Sequence, residues 1–129
     1  MDPYLTEVQR TEARRNVINT VRVFTTGATR DGAQGKPDYE GYLSPLVITR
    51  FGEYMTKHRI VADGSLRASD NWQKGIPPEE YIKSAFRHFV AWWLIHRGTG
   101  TAEDLEEALC AVLFNVQGYL HEHLKRETK

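Results

Sequence analysis

The chain has 129 residues, enough for one hydrophobic core without disulfide or metal staples. Its 17 basic and 17 acidic residues cancel and the pI is about 7.0, which argues against a general duplex-DNA binder, whose affinity needs many uncompensated cations. A single cysteine, Cys110, excludes an intrachain disulfide, and no apolar run approaches the roughly 20 residues that span a bilayer. The opening Met1-Asp2-Pro3-Tyr4 lacks the basic-then-apolar pattern of a signal peptide, so a soluble, cytoplasmic protein without membrane contact is expected.

Residues 4–23 mix acids, arginines and aliphatics at loose helical spacing (Leu5, Val8, Val17, Ile18, Val21) and read as a helix or an arm. Thr25 to Tyr42, broken by Gly27, Gly32, Gly35, Pro37 and Gly41, reads as loop. Ser44-Pro45 is a helix start, a capping hydroxyl followed by a proline whose missing N–H costs nothing at the first position. That helix is expected to reach about Arg59 and to bury Leu46, Val47, Phe51, Tyr54 and Met55. A second long loop follows from Asp63-Gly64 to Gly75.

Pro77-Pro78-Glu79-Glu80 opens the next helix, with acids placed at the positive end of its dipole. Ile82, Ala85, Phe86, Phe89, Trp92 and Trp93 give it a wide apolar face, and Arg97-Gly98-Thr99-Gly100 stops it. Thr101 with Asp104 resembles a capping box for a last helix running to about Lys125. The inward face predicted there is Leu105, Leu109, Val112, Leu113, Val116 and Leu120. No strand-like alternation stands out. The fold expected is all-α, a bundle of about four helices with two long loops. Residues 1–35 would form an N-terminal arm or helix plus loop, and 36–125 the helical functional domain.

The segment Asp70-Asn71-Trp72-Gln73-Lys74-Gly75-Ile76-Pro77 is rich in hydrogen-bonding groups and feeds a helix N-terminus, a combination suited to a polar or anionic ligand. At 100° per residue, Asp104, Glu107, Ala111, Asn115, Gly118 and Glu122 share a second stripe of the last helix. Carboxylates set among small residues can hold Mg²⁺ together with substrate phosphates; the same stripe also reads as a solvated face. Lys83 and Arg87, four apart, suit phosphate oxygens or solvent alike. His88 stands at an apolar edge, where a packed boundary histidine is the commoner role. Glu53 shares a stripe with Arg50 and Lys57, so an ion pair is its simplest role. His96, His121 and His123 lack zinc-ligand spacing with Cys110. There is no Walker loop, Gly-x-Gly-x-x-Gly or Gly-x-Ser-x-Gly.

Read in order, Lys36-Pro37-Asp38-Tyr39-Glu40-Gly41-Tyr42-Leu43-Ser44-Pro45, then Asp70-Asn71-Trp72, Arg87-His88, Trp92 and Asn115 resemble one family. It is the small, mainly phage-encoded dATP/dGTP diphosphohydrolase N-terminal domain, related to MazG-like all-α pyrophosphohydrolases. The resemblance spans about Lys36 to Glu122. It implies hydrolysis of a purine (d)NTP to its monophosphate and pyrophosphate with Mg²⁺ or Mn²⁺, in the host cytoplasm if the gene is a phage's. Carried over, Glu107, Lys36 and Arg87 would be catalytic, and Asn71, Trp72, His88, Asn115 and Lys83 would bind nucleotide. Glu107, Asp104 and Glu53 would hold metal. The chain departs from the MazG-like pattern in offering only Glu53 on the second helix, and in having Ala108 and Ala111 where relatives place histidines. A pocket short of ligands suits a non-catalytic alternative, a phage protein that sequesters a nucleotide signal. Aromatic-rich helix faces in so short a chain, and sites shared between subunits in similar enzymes, lead to an expected homodimer or homotetramer.

Overall fold

The computed structural model describes residues 4, 6–10, 21–100 and 103–127, which fall into two compact units, 1–44 and 45–129. The first unit opens with a capping box. The Thr6 N–H donates to the Gln9 side chain at 2.8 Å and the Gln9 N–H to the Thr6 hydroxyl at 3.1 Å, starting a helix at residues 7–10. Of the rest of the helix or arm expected over 4–23, residues 5 and 11–20, among them Leu5, Val17 and Ile18, lie outside the described residues, and 21–23 form a strand.

A hairpin follows, its first strand at the end of the segment expected as helix or arm and its turn and second strand in the expected loop. Strand β1 (Val21–Val23) pairs antiparallel with β2 (Thr29–Asp31), with Val21 opposite Asp31. Gly27, at φ +88°, takes the left-handed position that closes the turn, and the Phe24 N–H donates to the Ala28 carbonyl at 2.8 Å. Strands of three residues are too short to show a period of two, so no alternation betrays them. The unit ends in α1 (Tyr39–Tyr42), one turn capped by the Asp38 carboxylate accepting from the Gly41 N–H at 3.1 Å.

The second unit is helical. Helix α2 (Pro45–Lys57) starts at the expected proline, and a 3₁₀ turn follows at Asn71–Lys74. Helix α3 (Pro78–His96) carries Glu79 and Glu80 in its first turn. It stops at Arg97-Gly98, with Gly98 at φ +77° and the Thr99 N–H donating to the Leu94 carbonyl at 2.9 Å. Helix α4 (Leu105–Glu127) is capped by Asp104 itself, whose carboxylate accepts from the Glu107 N–H at 2.8 Å. This corrects the expected Thr101–Asp104 box: an aspartate one position before the helix bonds the orphan N–H two residues into it, and Thr101 lies outside the described residues. No helix of the described residues is long and apolar enough to cross a membrane.

Helices α3 and α4 form an antiparallel hairpin, since His88 meets Glu103 near one end while Tyr81 meets Phe114 and Gly118 further along. Its seam is the stripe of small residues. Ala108, Ala111, Asn115, Gly118 and Glu122 of α4 are buried, facing Tyr81 and Ala91 of α3. This largely reverses the sequence expectation for α4: Leu105, Leu109, Leu113, Val116 and Leu120 are exposed and Val112 is half-buried, while of the second stripe Ala111, Asn115, Gly118 and Glu122 are inside, Glu107 is half-buried and Asp104 is exposed. Small side chains win the seam because they let two backbones approach; at Gly118 a Cβ would fall within the Tyr81 ring. Helix α2 rests on α4 through Tyr54, Cys110 and Ala111, with Phe51, Met55 and Phe114 around them. The fold is mostly helical with a small two-stranded sheet rather than purely α.

Candidate functional site

The turn after α2 is a miniature hairpin. Asp63-Gly64-Ser65 closes it, with Gly64 at φ +87° and the Asp63 carboxylate accepting from both the N–H (2.9 Å) and hydroxyl (2.6 Å) of Ser65. These bonds hold the Asp63 carboxyl below its usual value. Ile60 bridges Leu66, and at the open end the Arg67 N–H donates to the Arg59 carbonyl at 2.8 Å. The Arg59 side chain closes the square, its Nε donating to the Arg67 carbonyl at 2.8 Å. The backbones of two arginines eight residues apart are thereby fixed side by side, with the Arg59 side chain tied to the Arg67 carbonyl.

Both border a cavity of about 240 Å³. Its lining also includes Tyr54, Met55 and Thr56 of α2, Phe114 of α4, and Asn71-Trp72. Trp72 is held edge-on against Phe114 (6.1 Å between centroids) and His121 (4.8 Å). His58, 4.2 Å from the Tyr54 ring, also lines the cavity. Burial pushes the Tyr54 phenol up to about 12, with the Glu107 charge adding to the effect, so it is a neutral hydroxyl at physiological pH. Like charges lining one cavity repel unless an anion joins them, and a flat aromatic in the same lining suits a ring system.

Beside the cavity Glu107 gathers cations. Its Oε1 accepts from Lys57 Nζ at 3.2 Å and Arg50 Nη2 at 3.4 Å, and its Oε2 lies 3.6 Å from His58 Nε2. Burial opposes ionisation, yet the bonds from Lys57, Arg50 and His58 outweigh it and hold the carboxyl below its ordinary value. Arg50 also bonds Glu106 at 2.7 Å.

Of the residues singled out in the sequence, Asn71 and Trp72 share the cavity. Lys36 lies in the first unit, its N–H donating to the Ala33 carbonyl in a turn. Lys83 and Arg87 flank a shallow depression on α3 with Ile82 and Phe86, apart from the cavity lining. His88 Nδ1 bonds both oxygens of Glu103, at 2.8 and 2.9 Å. Asn115 is buried and donates back to the Ala111 carbonyl at 2.7 Å, a bond within its own helix. Glu53 is exposed on α2.

The donor set implied for Mg²⁺ does not make up a metal site as arranged. Glu107 is engaged by Lys57, Arg50 and His58, Asp104 caps its helix, and among the described residues no three His, Cys, Asp or Glu side chains gather where they could hold an ion. Sequence reasoning passed over Arg59 and Arg67. The signal was present: Asp-Gly between Ile60-Val61 and Leu66 is hairpin chemistry, and a hairpin pairs the residues flanking it. No protein-family model, curated protein or solved structure matches the chain.

Proposed function

We propose that the chain binds a purine nucleoside triphosphate, or a nucleotide signal of like chemistry, in the cavity between the Arg59–Arg67 hairpin and Trp72. The observation that carries this reading is two arginines, paired through the backbone of one short hairpin, that line the same cavity as Trp72. A space of about 240 Å³ takes one ring system rather than a whole triphosphate. The base therefore stacks on Trp72 with Asn71 at its edge, and the phosphates lie at the rim on Arg59, Arg67 and His58. None of these contacts requires metal, and the arrangement favours the sequestering protein among the alternatives raised by the sequence.

A second reading, the metal-dependent pyrophosphohydrolase, is favoured by one fact: Asn71 and Trp72, central to the family resemblance, both line this cavity. Under it Mg²⁺ or Mn²⁺ would be held by Glu107, Asp104 and Glu53, and the product would be a monophosphate and pyrophosphate. Either activity would belong to a homodimer or homotetramer.

Calorimetry over purine and pyrimidine (d)NTPs and cyclic dinucleotides, with EDTA or with Mg²⁺, followed by chromatography of the recovered ligand, tests both readings. Metal-free binding with intact ligand supports sequestration. Pyrophosphate release that needs metal and is lost in Glu107→Gln with binding retained supports hydrolysis. Arg59→Ala or Arg67→Ala should weaken binding roughly tenfold to a hundredfold, the scale of a charge-assisted hydrogen bond at ~1.5–3 kcal/mol. Trp72→Ala should cost about 1–3 kcal/mol of stacking. Absence of binding by every nucleotide tried rejects the proposal.

A further inference from the structure

We propose that one face of the β1–β2 hairpin binds single-stranded nucleic acid, with Arg22 and Arg30 on two backbone phosphates and Phe24 stacked on a base. This goes beyond the cavity reading and does not depend on it.

Pairing sets Arg22 directly across from Arg30, in a ribbon of only three residue pairs. Like charges placed opposite one another destabilise a ladder, and a lone two-stranded ribbon is marginal to begin with. Valine or threonine would suit both positions better, so the stability of the ribbon does not account for two arginines. Ion pairing does not account for them either. Among the described residues, neither guanidinium has a carboxylate within ion-pair distance.

Arg22 is held by its own hairpin instead. Its Nε donates to the Asp31 carbonyl at 3.0 Å, the same cross-strand bond that Arg59 makes to Arg67. Its guanidinium carbon lies 5.7 Å from the centre of the Phe24 ring. The two Nη groups are left as a planar pair of donors suited to phosphate oxygens. Side chains two apart on a strand share a face, so Phe24 stands on the side that carries both arginines. Val21, Val23, Thr29 and Asp31 take the other side. The residue facing Phe24 across the turn is Ala28, whose carbonyl accepts from the Phe24 N–H at 2.8 Å. A methyl group is too small to cover the ring, which is 41% exposed.

Charge selects a polyanion for this face. The charges of the whole chain cancel, yet from Ala13 to Arg30 the sequence carries four arginines and no acid. An open ring beside fixed cations is the construction that holds a strand through its bases and its phosphates together. A duplex keeps its bases stacked on one another and offers none to Phe24, so the ring selects a single strand.

The test is the fluorescence anisotropy of a labelled oligothymidylate about twelve nucleotides long, titrated with the full chain in EDTA. Saturable binding is expected at low salt. Two phosphate contacts give a slope of about −1.4 in log K against log salt, a loss of about sevenfold between roughly 50 and 200 mM. Arg30→Gln should reduce that slope by about 0.7, and Arg30→Lys, which keeps the charge, should restore it. Phe24→Ala should weaken binding about fivefold or more at an unchanged slope, because stacking carries no charge. The Arg30 side chain bonds nothing in the hairpin, so its replacement tests the face even where Phe24→Ala loosens the turn. Arg97→Gln, which removes one charge at the end of α3, should change neither affinity nor slope. Absence of binding at low salt overturns the inference. So does binding unchanged in Arg30→Gln, which places the strand elsewhere on the chain. Displacement of the probe by a duplex as readily as by an unlabelled single strand overturns it equally.

Discussion

Gly118 and Tyr81 set how closely α3 and α4 approach, because the phenol ring occupies the space a side chain at 118 would take. Gly118→Ala should therefore destabilise despite the better helix propensity of alanine: overpacking against a buried ring costs about 1–3 kcal/mol, against roughly 1 kcal/mol gained by replacing glycine. The check is a thermal melt by circular dichroism, where a net loss of about 1 kcal/mol in a domain of this size lowers Tm by roughly 4–8 °C. Glu107 invites a second residue-scale test. Its folded carboxyl is held below the usual value of 4.5 by Lys57, Arg50 and His58, against the opposing effect of burial. A depressed carboxyl contributes stability that is fully present above its unfolded value and is lost as pH falls through the folded one. Glu107→Gln should thus be less stable than wild type near neutrality and lose less on acidification from about pH 6 to about pH 3. Equal acid sensitivity of the two proteins in melts across that range would show that the three cations do not depend on Glu107.

At the scale of elements, the Arg59–Arg67 hairpin is the device that makes a site out of two surface arginines. Gly64 sits at φ +87°, so Gly64→Val places a branched residue in a left-handed turn, at about 1–2 kcal/mol or more of local strain. The turn lies outside the α2–α3–α4 packing, so the variant should keep its helical signal and lose nucleotide affinity; retained affinity would mean the arginines need no hairpin to act together. Much of the helical architecture was legible in the sequence through its punctuation. Pro45, Pro78 and Gly98 fall where α2 and α3 begin and end, because those signals are local backbone chemistry. The side of α4 that packs was misjudged for a different reason. A leucine stripe declares only that it must leave water, and both a seam and an interface satisfy that; the smaller Ala-Asn-Gly stripe won the seam through close approach to Tyr81. Of the site, Asn71 and Trp72 were legible in the polar loop. Arg59 and Arg67 were not, because their adjacency is created by a turn whose strands are too short for periodicity.

For the whole molecule, the described core is small, with Tyr54, Tyr81, Ala91, Ala108, Cys110 and Ala111 its buried apolar residues. A second copy covering the outer stripes of α3 and α4 would therefore make folding and assembly one equilibrium. The buried seam removes little apolar area, while the stripes on the outer face hold on the order of 700 Å², worth roughly 15–20 kcal/mol per copy at ~25 cal/mol per Å² before the costs of association and ordering. Those costs consume most of the gain, but what remains stabilises only the paired form. Association then acts on stability by mass action, as a bound ligand does: each tenfold rise in chain concentration should favour the folded dimer by about 1.4 kcal/mol of dimer and raise Tm by several degrees. The helical signal should melt in one transition whose midpoint moves with concentration. In Val116→Glu that dependence should vanish together with most of the stability. A wild-type midpoint constant across a hundredfold range would mean that the α3–α4 hairpin stands without its partner, with its leucines and aromatics covered from within the same chain.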